Sequence, residues 1–225
     1  ELILKSIDLP DVQSGPSSYN FKISRVGVTG VKKLVYIKRP NMKEANPLVV
    51  KMDLFVNLPA TQKGSHMSRN LELISDLIDE NIKKPLTDLE TFCARTARML
   101  LKRHEYATFS EVKAEADYFY ERNYPDGKTG LEPFKLVAEA RAKSDGDVKK
   151  LIGVRVIGMT ACPCAREVIK TIGKYNKTDI PPTHNQRNIT TLLVEVPEDD
   201  KSVDANDLIE IAESSFSSPT YAILK

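Results

Sequence analysis

The chain has no run of about 18 or more apolar residues, so it has no segment suited to cross a membrane as a helix. It does not open with a basic stretch, an apolar core and a small-residue cleavage site, so a secretory leader is not expected. It has little excess charge of either sign: Lys+Arg 33 against Asp+Glu 31. That balance gives no global field for nucleic acid. Its cysteines number 3, an odd count with two of them one residue apart, which is no disulfide framework. A reducing, cytoplasmic setting is therefore expected. There is no G-x-x-x-x-G-K-[ST], no G-x-G-x-x-G after a strand and no G-x-S-x-G. Those absences remove P-loop, Rossmann and α/β-hydrolase machinery.

What is present fits a core-forming chain. Its 225 residues are 41% hydrophobic, enough for one large domain or two small ones. Residues 1–19 hold Pro10, Gly15, Pro16 and Ser17-Ser18 and read as an extended arm. Strands are expected at Asn20–Val28, Val31–Lys38 and Leu48–Leu58. A first helix would bury Leu71, Ile74, Leu77 and Ile78, with Ser68 as its N-cap. A second would open on a Thr87/Glu90 capping box and bury Leu89, Phe92, Cys93, Thr96, Met99 and Leu100. His104, after Leu-Lys-Arg at the end of that helix, reads as a surface histidine favoured by the helix dipole. Cys93 reads as a small core residue.

Strict period-two alternation marks Glu111–Tyr120 and Leu136–Lys143 as strands. Pro125-Asp126-Gly127 is a turn, and Ser144–Asp147 a hairpin loop leading to a strand at Leu151–Gly158. A short helix at Ala165–Ile172 and a strand at Ile189–Val196 follow. A helix at Asp204–Phe216, capped by Asp204, would turn Leu208, Ile209, Ile211 and Ala212 inward. Strands and helices that come in runs point to an α+β fold on an antiparallel sheet. The expected modules are 20–123 and 132–225. The second stops just after its helix, so its closing strands are expected beyond Lys225.

The chemistry concentrates in Gly158–Arg187, where Cys162, Cys164 and His184 lie near a strand end. Thiolate and imidazole are the side chains that best bind a borderline-soft divalent metal. Cys-Pro-Cys is too short for a C-x-x-C knuckle, and Pro163 sends the two thiols in different directions. One should ligate and the other pack. From the residues alone, a metal site and buried free thiols both stay open. His184 follows two prolines that hold its loop extended. Arg187 has the planar fork that clamps phosphate oxygens. The bland reading is a surface histidine at a strand start. His66 stands at a helix entry beside Lys63, Ser68 and Arg69, where backbone N–H groups make an anion site. A solvated turn with an N-cap serine is the alternative.

Two segments carry a family resemblance. Thr160-Ala-Cys-Pro-Cys-Ala-Arg166 with Pro181-Pro-Thr-His-Asn-Gln-Arg187 resembles the signature of the type IB GTP cyclohydrolases, as does Lys63-Gly-Ser-His-Met-Ser-Arg69. The longer spacer Glu167–Pro182 resembles the archaeal branch, whose product is 7,8-dihydroneopterin 2',3'-cyclic phosphate. The resemblance implies the tunnelling fold, in which antiparallel sheets back paired helices, with two modules per chain in a homo-oligomer, a tetramer. It implies GTP as substrate, with no nucleic-acid or membrane partner, in pterin biosynthesis of the tetrahydromethanopterin kind. It implies a divalent metal, Fe(II) favoured with Zn(II) second, on Cys162 and His184, which also become the catalytic residues. His66, Ser68, Arg69 and Arg187 would bind substrate. A metal-activated water would then attack C8 of the purine and release it as formate. Where bacterial members carry Cys-Glu before Leu-Tyr, this chain reads Ser218-Pro219 before Thr220-Tyr221, so their acidic metal-shell residue is absent. Two rivals are a related thiol-dependent reductase of a deazapurine nitrile, with Cys162 as nucleophile, and a purine- or pterin-binding module without catalysis.

Overall fold

A computed structural model describes residues 11–38, 43–124, 127–173, 175–176, 179–199 and 203–220. The elements run β1 (Ile23–Ile37), β2 (Asn46–Leu58), α1 (Met67–Lys83), α2 (Leu89–Arg103), β3 (Phe109–Asn123), β4 (Thr129–Lys143), β5 (Val148–Ala161), α3 (Pro163–Ile172), β6 (Asn185–Val196), α4 (Ala205–Ser214) and the two-residue β7 (Ser218–Pro219). The sheet is antiparallel, with β1 to β6 side by side in chain order and β7 pairing with β5. The class is α+β, and the architecture is that of the tunnelling fold.

The residues pack as two compact units. One draws on residues 1–115, 138–151 and 195–198, and the other on 116–137, 152–194 and 199–225. In the first, β2 alternates from Leu48 to Val56, so Leu48, Val50, Met52, Leu54 and Val56 all point into the core. Leu73, Ile74 and Leu77 of α1 and Phe92, Cys93, Ala97 and Leu100 of α2 are buried in the same unit. Each such aliphatic side chain contributes roughly 1.5–3 kcal/mol by leaving water. In the second unit, Val154 and Val156 of β5 and Leu208, Ile209 and Ala212 of α4 are buried.

Several sequence expectations need correcting. Asn20–Val28 and Val31–Lys38 are not two strands but one, β1. Its pairing with β2 slips between Val28 and Val31. Gly30, at φ 70°, supplies the left-handed residue there, and its N–H donates to Asp53 Oδ1 at 2.7 Å. Helix α1 starts earlier than expected. Its N-cap is His66, with no side-chain cap bond, and Ser68 lies exposed inside the first turn. Leu71 is exposed, and Leu73 takes the core position assigned to it. Helix α2 is capped by Asp88, whose carboxylate accepts from Thr91 N–H at 2.7 Å. Thr87 donates to that carboxylate instead of capping the helix itself. Ile211 points outward, at 55% exposure. Asp204 caps α4 as expected, accepting from Asn206 N–H at 2.8 Å. Cys93 is fully buried. Gly127 closes the β3–β4 turn at φ 81°, its N–H bonded to Tyr124 O, while Pro125 and Asp126 lie outside the described residues.

Candidate functional site

In the second unit, β5 ends at Ala161 and Pro163 opens α3, which leaves Cys162 as the N-cap. Its sulfur takes the place of a capping hydroxyl, accepting from Ala165 N–H at 3.4 Å. The stiff Pro181-Pro182 approach brings the start of β6 alongside. Cys162 N–H donates to His184 O at 3.3 Å, and Thr183 Oγ1 donates to Cys162 O at 3.1 Å. Residues 22 positions apart in the chain therefore sit on neighbouring rungs. Cys162 is half-buried, and Cys164 and His184 are exposed. Among the described residues no group of three or more His, Cys, Asp or Glu is placed to hold a metal. One thiol and one imidazole on adjacent backbone match the donor chemistry of a borderline-soft divalent ion. They suit an open-sided catalytic site rather than a closed structural one.

Arg187 is exposed three residues beyond His184. It borders a shallow pocket of about 210 Å³ with Glu132, Phe134 and Glu213. Both carboxylates there are already engaged, Glu132 by the Tyr124 hydroxyl and Glu213 by Arg122.

The second sequence-flagged cluster lies in the first unit and is tightly held. Residues 11–17 run beside residues 61–66: Lys63 N–H donates to Gly15 O at 3.0 Å and Gly64 N–H to Gln13 O at 3.2 Å, and residues 1–10 of the expected arm lie outside the described residues. A Cβ on Gly64 would sit 1.7 Å from Gln13 Oε1, so this glycine admits the close approach of the arm. Asp11 reaches His66, with Oδ1 2.8 Å from Nε2. Hydrogen bonds from Ser14, with a further contribution from His66, hold the Asp11 carboxyl well below the usual carboxylate range. His66 Nδ1 is buried without a hydrogen-bond partner. Arg69 donates to Arg103 O at 3.2 Å, which ties the turn to the end of α2.

His104 contradicts its surface reading outright. It is 0% exposed, with Nε2 2.7 Å from Asn70 Oδ1 and Nδ1 2.9 Å from the Tyr106 hydroxyl. Burial, with smaller contributions from Arg69 and His66, pushes its pKa down to about 4. The chain turns in sharply after α2, Ala107 N–H bonding to His104 O at 2.7 Å, so a polar segment delivers its histidine inward. Sequence reasoning also missed Asp11, because the residue it pairs with is 55 positions away. A third cluster, at the start of α2, joins Asp88, Glu90, Cys93 and the fully buried Lys150. Burial, aided by Asp88, raises the Glu90 pKa to about 7.

The comparisons with known proteins decide the family. Residues 9–225 match the family described as type I GTP cyclohydrolase folE2. The GTP cyclohydrolase MptA of Methanobrevibacter smithii is 42% identical over 98% of this chain and 76% of its own length. That of Methanosphaera stadtmanae is 40% identical over 97% and 75%. The chain belongs to the type I GTP cyclohydrolase family.

Among solved structures, the uricase from Arthrobacter globiformis superposes with a TM-score of 0.50 over 88% of this chain and 71% of that one, at 9% identity. That likeness speaks for the fold alone. Among the described residues no helix is long and apolar enough to cross a membrane.

Proposed function

We propose that this family member is a metal-dependent GTP cyclohydrolase that opens the imidazole ring of GTP, releases C8 as formate and yields a dihydroneopterin phosphate. The observation that supports it most is the Cys162–His184 rung, which puts a thiol and an imidazole on adjacent backbone at a strand end. Cys162 and His184 would hold the metal, Fe(II) favoured and Zn(II) second. When bound, it supplies Lewis-acid activation of water and polarisation of the purine.

The other steps fall to side chains of this chain. Arg187, on the first rungs of β6, binds phosphate oxygens through its fork. The N-terminus of α1 offers backbone N–H groups, and Ser68, Arg69 and Lys63 add a hydroxyl and positive charge for an anionic ligand. His66, held through Nε2 by Asp11, presents its ring at the entry to that helix. Because β6 is the last full strand in the sheet order, a second copy can pair with it. A homotetramer of two-module chains, divided as 20–123 and 132–225, follows from the same reading. So does a place in pterin biosynthesis of the tetrahydromethanopterin kind, with the cyclic phosphate as product.

The test is to load the full-length protein anaerobically with Fe(II) or Zn(II), add GTP and assay formate and a fluorescent pterin after oxidation. Metal-dependent release of both is expected. Formation of neither, or turnover only with NADPH and a nitrile, would replace this reading.

A further inference from the structure

The turn proposed to bind substrate is clamped by one imidazole that touches neither His66 nor Arg69 through a hydrogen bond. Ser65 precedes His66 and Asn70 follows Arg69; they are 7% and 1% exposed. Asn70 Oδ1 lies 2.7 Å from His104 Nε2. Ser65 Oγ lies 2.6 Å from the Tyr106 hydroxyl, which lies 2.9 Å from His104 Nδ1. Both ends of the motif turn are thus tied to His104, one directly and one through Tyr106.

Proton counting gives His104 a consistent pair of roles toward Asn70 and Tyr106. With Asn70 Oδ1 facing His104 and its amide nitrogen 3.9 Å from Met67 Sδ, the imidazole donates from Nε2–H to Asn70. A neutral imidazole that has its proton on Nε2 can only accept at Nδ1, so Tyr106 donates there. The Tyr106 hydroxyl also faces Ser65 Oγ, the two oxygens sharing one hydrogen bond at 2.6 Å. The downward shift of the His104 pKa agrees with a neutral ring.

We propose that His104, acting through Tyr106 and Ser65 on one side and Asn70 on the other, is a positioning residue that fixes His66 and Arg69 for an anionic substrate. The inference rests on the reading of Lys63–Arg69 as part of the substrate site. A ring serving only to fill space could be replaced by any side chain of similar volume. A positioning ring needs an acceptor on one side and a donor on the other, which the glutamine amide also supplies.

The test uses the full-length protein and GTP binding by calorimetry. Tyr106→Phe removes one hydroxyl and little volume, and its dissociation constant for GTP should rise about tenfold, the scale of one lost buried hydrogen bond. His104→Gln should bind GTP within about threefold of wild type, while His104→Leu should bind at least about tenfold more weakly. Nitrogen-15 spectra of histidine-labelled protein should show His104 with its proton on Nε2 from pH 7 down to pH 5. In Tyr106→Phe the Nδ1 resonance should move. Wild-type affinity in Tyr106→Phe, beside weakened binding in Arg69→Ala, would overturn the relay and leave the substrate site standing. Wild-type affinity in Arg69→Ala would remove the turn from the substrate site, and the proposal with it. A proton on Nδ1 of His104 would also overturn it.

Discussion

His104 and His184 belong to two regions built on opposite principles. Around His104 both ring nitrogens are satisfied, exposure is nil and three backbone segments converge on one turn. Around His184 the ring is exposed, the partner thiol is half-buried, and α3 buries none of its residues. The first region is complete within the chain and pre-set before any ligand arrives. The second has its donors aligned only by backbone rungs, leaving room for a metal, a substrate or another copy. Mutations should therefore separate the two: chemistry lost without stability in one, stability lost with affinity in the other.

The largest expected effect lies on the open side. If the proposed metal site is right, Cys162→Ala and His184→Ala should each lower GTP turnover by more than about 100-fold and remove bound metal, since each would delete one of few ligands. Neither side chain packs in a core, so melting temperatures without metal should stay within about 2 °C of wild type. Retained metal and turnover in Cys162→Ala would dissolve the contrast. Chelation should reproduce the loss, and Fe(II) or Zn(II) should restore it.

Next comes the closed side. His104→Ala removes the bonds to Asn70 Oδ1 and to the Tyr106 hydroxyl and opens a void where a ring was. A cost of about 3 kcal/mol is expected, or a fall in melting temperature of roughly 6–12 °C for a chain of this size. Thermal scans of the metal-free protein measure it. A shift under about 2 °C would show the network to be slack.

The closed region was also the harder one to read. Period-two alternation revealed β3 and β4, and the stripe through Leu89, Phe92 and Cys93 revealed the buried face of α2, because burial repeats with the element. His104 sits in Leu-Lys-Arg-His-Glu, where every neighbour after Leu101 is charged. Its burial comes from a turn that reverses the chain, and no periodicity reports that. Asp11 and His66 meet only because the arm runs back along residues 61–66. The caps went wrong by one or two residues, at Ser68 and Thr87, because neighbouring Ser, Thr, Asp and His all suit a helix entrance. Cys162 and His184 were legible as a pair because each borders a strand, and strand ends meet when strands are adjacent.

Acidity gives a third way to sharpen the contrast, using groups of the first unit alone. The folded pKa of His104 is lowered to about 4, so it contributes stability above its ordinary value of 6.5 that is lost as pH falls toward 4. The folded pKa of Glu90 is raised to about 7, so it contributes stability below its ordinary 4.5 that is lost as pH rises toward 7. Glu90→Gln keeps the shape without the charge. It should flatten the loss between pH 5 and 7 and gain at most about 3 kcal/mol at pH 8 over wild type. Identical stability profiles for the two proteins would place the Glu90 carboxyl in water.

The smallest effect should come from Cys164, though it stands two residues from Cys162. Pro163 occupies the first position of α3, so Cys162 stays outside the helix as its cap while Cys164 falls within the first turn. That step changes the environment of the two sulfurs. Cys162 is half-buried and accepts a backbone N–H, and Cys164 is exposed. An exposed thiol in a first helical turn contributes little packing, and alanine is the better helix former there by a few tenths of a kcal/mol. Cys164→Ala should therefore melt within about 1 °C of wild type and lose less than about fivefold in turnover, against more than about 100-fold for Cys162→Ala. The measurement is a side-by-side assay of the two variants at equal metal content. Equal losses would mean that both sulfurs serve the site and that the proline does not separate their roles.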